Sequence, residues 1–371
     1  MKQGIFMYRD NVNYSLSMPA FYEWRIAGLC ILCIRFVQGW IFWGGGSRRF
    51  FYAPQKLNPY ATQWMANKLQ SAMPGALLGV GDVISFLLQH FYLLYAAIIV
   101  FSLVELLSGA ALIAGIFTRA AGFVTVLLSI ALMVIFGWEG GTCIDEWTMS
   151  IANLSIGLTL ALSGGSIYSI DSWLLRRYPA LADKAWFITF ASGPWSYKTL
   201  KRTGILFFVF TVFFTLSTYN YYRGAIFSRY HPGPVSPVEY HVNLSDGVLS
   251  PDGAVTFTAY VDAGAPSQPC HIIRAELLNP DGTIIELWSG KQLSTLPQNN
   301  IVNVYAYNRI KTGIYGIEAP VSAKANITLV PEIKFLNMVP GQYQLRLYSI
   351  DGKRWELTLR NSQIIHREIV Y

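Results

Sequence analysis

The chain of 371 residues is 53% hydrophobic and only 13% charged, with a formal net charge of +7. A water-soluble domain carries roughly 25% charged residues, so this composition excludes a chain surrounded by water alone. The basic excess lies in residues 1–222, with 15 Lys and Arg against 9 Asp and Glu, while residues 223–371 hold 13 against 12. That distribution puts the positive charge beside apolar spans, and it excludes a nucleic-acid partner as its explanation.

Residues 1–25 contain no apolar run and read as a cytoplasmic segment, not as a cleaved leader. Apolar stretches of about 20 residues, the length that crosses a bilayer, follow near 26–46, 92–117, 120–138, 148–168 and 203–220. Five spans are therefore predicted, four of them in a domain at 26–168 and the fifth at 203–222. Residues 76–91 are also apolar, but Pro74, Gly79, Gly81 and Asp82 interrupt them, which predicts an interfacial or re-entrant segment. The loop 169–202 carries Arg176, Arg177, Lys184, Lys198, Lys201 and Arg202, whereas 139–147 carries three acids and no cation. By the positive-inside rule 169–202 is cytoplasmic. The N-terminus is then inside, and residues 223–371 lie on the extracytoplasmic (periplasmic) side of the cell's inner membrane. Arg48 and Arg49, expected just outside the first span, contradict the rule.

The last 149 residues alternate apolar and polar with period two, as in Val255–Tyr260, Val302–Tyr307 and Tyr343–Tyr348. Asp-Gly pairs at 246–247, 252–253, 281–282 and 351–352 mark turns, and the last two sit between apolar runs as hairpin loops should. Seven or eight short strands predict an immunoglobulin-like sandwich behind a stiff linker of Pro232, Pro234 and Pro237. The fold class is thus a membrane α-helical bundle, a four-helix core plus one further span, with a C-terminal all-β sandwich.

Ionisable groups in hydrocarbon are costly, so Arg35 and Glu105 are the first candidates for function. Helical rise puts their depths within roughly 5 Å of each other, close enough to pair. Such a pair reads either as the border of a quinone pocket or as an ion pair that only fixes helix packing. The loop Gly137–Trp147 gathers Cys143, Glu139, Asp145, Glu146, Trp138 and Trp147 between two spans. The tryptophans read as interface anchors. Cys143 faces an oxidising compartment and reads as paired or reactive. Cys270 is its candidate partner, and a structural disulfide or two unrelated thiols are the alternatives. Cys30 and Cys33 read as small apolar residues on the first helix. Gly44-Gly-Gly-Ser-Arg48-Arg49 reads either as an oxyanion cradle or as snorkelling arginines beside flexible glycines. His90, His231, His241, His271 and His366 show no metal-ligand spacing, so no metal is expected. Phosphate-binding, dinucleotide and iron–sulfur motifs are absent, which leaves thiols or a quinone for any redox role.

The run Val104-Glu105-Leu-Leu-Ser-Gly109 through Gly115-Ile-Phe-Thr118-Arg119, with Arg35 on the first helix, resembles the DoxX/DoxD membrane family. The Gly-Gly-Thr-Cys-Ile-Asp-Glu-Trp loop resembles DoxD in particular, there taken as the large subunit of thiosulfate:quinone oxidoreductase, and the fifth span plus sandwich resembles its small subunit, DoxA. The resemblance implies oxidation of thiosulfate to tetrathionate outside the membrane, with a membrane quinone of ubiquinone, menaquinone or archaeal type as acceptor and no haem or flavin. Under it Cys143, Cys270, Asp145 and Glu146 are the expected catalytic residues. Arg48, Arg49 and His90 are expected to bind substrate, and Arg35, Glu105 and Arg119 the quinone. Thiosulfate, the quinone and the lipid bilayer are the expected partners, and the sequence leaves homo-oligomerisation open. Two other classes remain: a quinone-coupled thiol/disulfide oxidase, and a non-enzymatic anion-binding or assembly protein.

Overall fold

The computed structural model describes residues 18–52, 54–140, 145–332 and 341–361. Up to residue 223 its α-helices in chain order are α1 (Met18–Cys30), α2 (Leu32–Ser47), α3 (Met65–Ala72), α4 (Val80–Gln89), α5 (Phe91–Ala114), α6 (Thr118–Phe136), α7 (Asp145–Ser163), α8 (Ile170–Arg177), α9 (Ala185–Phe190) and α10 (Tyr197–Arg223). Contacts divide the chain into two units. The first comprises residues 1–52, 101–130 and 151–215, the second 53–100, 131–150 and 216–371.

Among the described residues, α5, α6 and α10 are long and apolar enough to cross a membrane. The pair α1–α2, bent by 53°, makes a fourth span if counted as one. The predicted span at 148–168 is α7, which at 19 residues and 1.5 Å per residue reaches about 28 Å. It lacks the apolarity of the others because its sequence carries Ser150, Asn153, Ser155 and Thr159. Ser150 and Asn153 are buried against protein, where a polar side chain finds partners that lipid cannot offer.

In the first unit α2 and α5 pack backbone to backbone through glycines. A Cβ on Gly46 would stand 2.7 Å from the Leu106 amide nitrogen, and one on Gly39 would stand 2.9 Å from that of Ile113. Small residues permit this approach, and dispersion between the two backbones holds it where no hydrophobic effect operates. The same packing overturns the expected end of the first span. The glycine run 44–46 is not a break, since α2 runs on through it and continues as a π-helical stretch, Arg48–Tyr52.

Among the described residues the second unit contains ten strands: β1 (His241–Leu249), β2 (Val255–Ala263), β3 (Cys270–Leu278), β4 (Ile284–Ser289), β5 (Ile301–Asn303), β6 (Lys311–Gly313), β7 (Gly316–Ala319), β8 (Lys324–Leu329), β9 (Tyr343–Ser349) and β10 (Arg354–Asn361). They form one hydrogen-bonded path, β5-β8-β2-β1-β10-β9-β3-β7-β6, with β4 added to β3. All pairs are antiparallel except β1 with β10, where Val248 faces Arg360 and Leu249 faces Asn361. That parallel seam joins two antiparallel groups, β5-β8-β2-β1 and β10-β9-β3-β7-β6, into the one path. Inward positions of β2, β3, β8 and β9, including Phe257, Ile272, Ile327 and Leu345, are fully buried, as period-two alternation requires. Asp252-Gly253, Asp281-Gly282 and Asp351-Gly352 occupy hairpin loops. Asp246-Gly247 does not, since it makes a bulge inside β1, where the register against β2 shifts between Ser245 and Val248. Asp246 there takes φ +54°, and a Cβ on Gly247 would meet Leu357 at 2.6 Å.

The β domain packs on residues 62–98 within this unit. Trp64 is buried and stacks on Tyr95, with ring centroids 5.9 Å apart. The buried Gln70 amide donates to the Ser322 carbonyl at 3.1 Å, the Asn308 amide donates to the Asn67 carbonyl at 2.7 Å, and the Ser85 and Tyr305 hydroxyls lie 2.8 Å apart.

Candidate functional site

Glu105 does not meet Arg35. It is buried in an ion pair with Arg49. Nine residues separate Glu105 from the end of α5 at Ala114, about 14 Å of helix, and fourteen separate it from Phe91, about 21 Å. The pair therefore lies well inside the spanning part of α5. The π-helical stretch Arg48–Tyr52 places the guanidinium there, and Gly45 makes room for the carboxylate: a Cβ on it would stand 2.7 Å from Glu105 Oε1. Arg49 Nε is buried and has no hydrogen-bond partner among the described residues, and the ring of Phe101 lies 6.0 Å from the guanidinium carbon. The exception to the positive-inside rule is thereby explained in part. Arg49 is a buried partner of Glu105, not a loop charge, while Arg48 is exposed.

Arg35 and Arg119 bind backbone carbonyls instead. Arg35 donates to Gly165 at 2.6 Å and Tyr168 at 2.6 Å. Arg119 donates to Gly193 at 2.6 Å, Leu162 at 3.2 Å and Ile188, and its guanidinium carbon lies 4.1 Å from the centroid of the Trp195 ring. Between them the buried Asp171 accepts from the Phe117 and Thr118 amides at 2.9 and 3.0 Å. It also accepts from the Thr118 and Ser192 hydroxyls at 3.0 and 2.7 Å. The Thr-Arg turn is thus half of a clamp on the segments 162–171 and 188–195. Deeper in the bundle the fully buried Gln38 donates to Thr125 Oγ1 at 3.2 Å and the Asn153 carbonyl at 2.9 Å, and its Oε1 has no partner among the described residues.

In the second unit, the loop singled out by sequence begins with Trp138, whose indole donates to the Ala72 carbonyl at 2.9 Å. Glu139 is buried and paired with Lys68, and Glu146 reaches the same ammonium at 3.4 Å. Burial pushes the Glu139 carboxyl up to about 7, with Lys68 opposing and Glu146 adding to the rise. Burial works to lower Lys68, but the two carboxylates outweigh it and hold the ammonium above its ordinary value. The native protein therefore binds more protons than the unfolded chain between pH 4.5 and about 7, and this carboxyl's contribution to stability falls as pH rises through that window. Arg223, at the end of α10, donates to the Gly140 and Tyr222 carbonyls. Cys143 and the side chain of Asp145 lie outside the described residues.

Cys270 is a free thiol, not half of a disulfide, and is 2% exposed at the start of β3. Burial first, and then Asp351, pushes it up to about 12, so it is protonated and inert at neutral pH. His90 is exposed; its Nδ1 lies 2.8 Å from the Phe86 carbonyl, and its ring packs 4.3 Å from that of Phe86. Lys68 and Asp171 were missed by the sequence reading. Lys68 had a signal, being the one cation between Lys56 and Arg119. Asp171 had none, since its role rests on four donors from two distant segments.

Two family profiles match the chain. The one described as "TQO small subunit DoxD" matches residues 30–200, and the one described as "TQO small subunit DoxA" matches residues 224–358. Both descriptions use the words small subunit, where the sequence resemblance took DoxD for the large one. The two matched segments hold Arg35, Arg49, Lys68, Glu105, Arg119, Glu139, Asp171 and Cys270, while Arg223 lies between them. The chain belongs to the thiosulfate:quinone oxidoreductase (TQO) family, with a DoxD-type membrane part fused to a DoxA-type domain in one polypeptide.

Proposed function

We propose that this protein couples two thiosulfates into tetrathionate on the extracytoplasmic side of the cell membrane and delivers the two electrons to a membrane quinone beside Arg49 and Glu105. The observation that carries the acceptor site is the buried Arg49–Glu105 pair inside the helical unit. Its residues fit a quinone headgroup: the Arg49 Nε–H is a buried donor without a partner among the described residues, and the Glu105 carboxylate, packed against Gly45, lies beside it. A bound quinone supplies an acceptor for two electrons and two protons. Arg49 then orients a carbonyl oxygen by donating to it, and Glu105 holds a proton at its carboxylate for delivery to that oxygen. Arg35 and Arg119 support the site indirectly by holding the segments 162–168 and 188–193 against the starts of α2 and α6.

On the substrate side the stoichiometry is two thiosulfate dianions giving one tetrathionate dianion and two electrons, so no proton is released there. The loop 139–147, with Cys143, Asp145 and Glu146, is the proposed site. A relay through a Cys143–Cys270 disulfide is disfavoured by the buried, protonated Cys270 thiol, and direct coupling of two bound thiosulfates is the working mechanism. A quinone-coupled thiol oxidase would need that same thiol.

Purified protein given thiosulfate and decylubiquinone is expected to form quinol and tetrathionate in equal amounts. Cys270→Ala is expected to do so within about twofold of the parental rate, since the change only trims a small buried side chain. Absence of thiosulfate-dependent quinol would refute the function. Loss of turnover in a folded Cys270→Ala protein would restore the disulfide relay.

Orientation has its own test. Lys291 is exposed in the β domain, and Lys291→Cys is expected to react with a membrane-impermeant maleimide in intact cells. Labelling only after lysis would place the domain, and the substrate site with it, in the cytoplasm.

A further inference from the structure

Glu139 is an unusual group to find beside a site for dianions. Its residue is 8% exposed, one carboxylate oxygen is paired with Lys68, and the other has no hydrogen-bond partner among the described residues. The nearby Ser71 hydroxyl donates its proton to the Lys68 carbonyl at 2.8 Å. The Lys68 side chain is 44% exposed and Glu146 31%, so the ammonium stands between a buried carboxylate and a surface one. The face of Phe136 lies under that ammonium at 5.1 Å.

We propose that Lys68 is a thiosulfate-binding cation, kept covered by Glu139 and Glu146 and uncovered when Glu139 takes up a proton. The proposal rests on the thiosulfate-oxidising reading above. Lys68 (+1), Glu139 (−1) and Glu146 (−1) sum to −1, and this charge repels an oxyanion. A proton on Glu139 brings the sum to zero and leaves the ammonium with one charged partner, the half-buried Glu146 at 3.4 Å. The N–H donors that Glu146 does not take are then available to an anion, while Phe136 still lies under the cation. The charged and titratable groups that act on Glu139 are Lys68 of α3 and Glu146 of α7, with the Ser71 hydroxyl of α3 beside them. Arg223 is engaged by the Gly140, Tyr222 and Pro232 carbonyls.

If only the protonated form binds, apparent affinity follows the protonated fraction. With the carboxyl titrating at about 7, affinity should fall about tenfold between pH 6 and pH 8. The test is calorimetric titration of sodium thiosulfate into the full-length protein in nanodiscs of neutral phospholipid, at constant ionic strength. Glu139→Gln, which mimics the protonated carboxyl, is expected to bind at both pH values within about twofold of the parental protein at pH 6. Lys68→Met is expected to lose binding, and Lys68→Arg to retain it. A Glu139→Gln protein that keeps the parental slope with pH, or a folded Lys68→Met protein that binds as the parent does, overturns the proposal. Failure of the underlying function looks different: parental protein that shows the pH-dependent binding but reduces no quinone keeps the anion site and loses the redox role.

Discussion

Replacing Arg49 by methionine is expected to lower stability by roughly 3–5 kcal/mol and to abolish quinone reduction, because it strands the Glu105 carboxylate inside the helical unit. Glu105→Gln should do the same from the other side, leaving a buried guanidinium with a neutral partner. The double variant Arg49→Met/Glu105→Leu separates the two roles. An apolar pair of similar volume replaces a buried ion pair at little cost, so thermal unfolding in detergent should return close to the parental midpoint. Quinone reduction should not return, since neither the donor nor the proton carrier is present. A double variant that reduces decylubiquinone at the parental rate would make the pair a packing device only. A single variant with parental unfolding would show that neither charge is as buried as the contacts indicate.

Asp171→Ala is expected to cost more than about 3 kcal/mol and to leave little folded protein. The carboxylate is 1% exposed and satisfies the Phe117 and Thr118 amides and the Thr118 and Ser192 hydroxyls. Alanine leaves the three buried donors of Thr118 and Ser192, and the partly buried Phe117 amide, without that acceptor. It also removes the negative charge that acts on both Arg35 and Arg119. Asparagine is not a conservative replacement here, because its amide would point donors at donors, so Asp171→Asn should fail nearly as badly. The measurement is the monodisperse yield in detergent together with limited proteolysis of residues 164–195. Parental yield and protection in Asp171→Ala would show that the clamp is held by the two arginines alone. Since the clamp touches no proposed substrate, this loss should be one of folding, whereas the Arg49/Glu105 double variant should lose turnover while folded.

The expected pairing of Arg35 with Glu105 failed for a physical reason. Pairing Arg35 with Glu105 rested on depths counted from the inner ends of the two helices, Ile26 and Phe117, with the first span ending at the glycine run. Glycine breaks a solvent-exposed helix, but between two membrane helices it lets backbones approach, and Gly39 and Gly46 do that against α5. The helix therefore continues, Arg49 rather than Arg35 reaches Glu105, and Arg35 binds the carbonyls that end at Tyr168. For Cys270 the sequence left a disulfide and two unrelated thiols both open. Its position in a strand was legible, but the side of the strand it faces, and so the state of its thiol, depends on the neighbours that cover β3.

By itself the sequence determined the solvents: long apolar runs and few charges require a membrane part, and period-two alternation with Asp-Gly turns requires a β domain after it. It also marked the residue types that lipid makes costly, Arg35 and Glu105, and the acidic loop at 139–147. These features are local or compositional, so no long-range contact is needed to see them. Only the tertiary structure decided which charges meet, because a partner is chosen by the path of the backbone. That path runs through the π-helical stretch to Arg49, through α3 to bring Lys68 to Glu139, and through two separate segments to surround Asp171. It also decided that the β domain rests on residues 62–98, since Trp64, Gln70 and Ser85 show no period or motif and acquire their roles only from Tyr307, Ser322 and Tyr305.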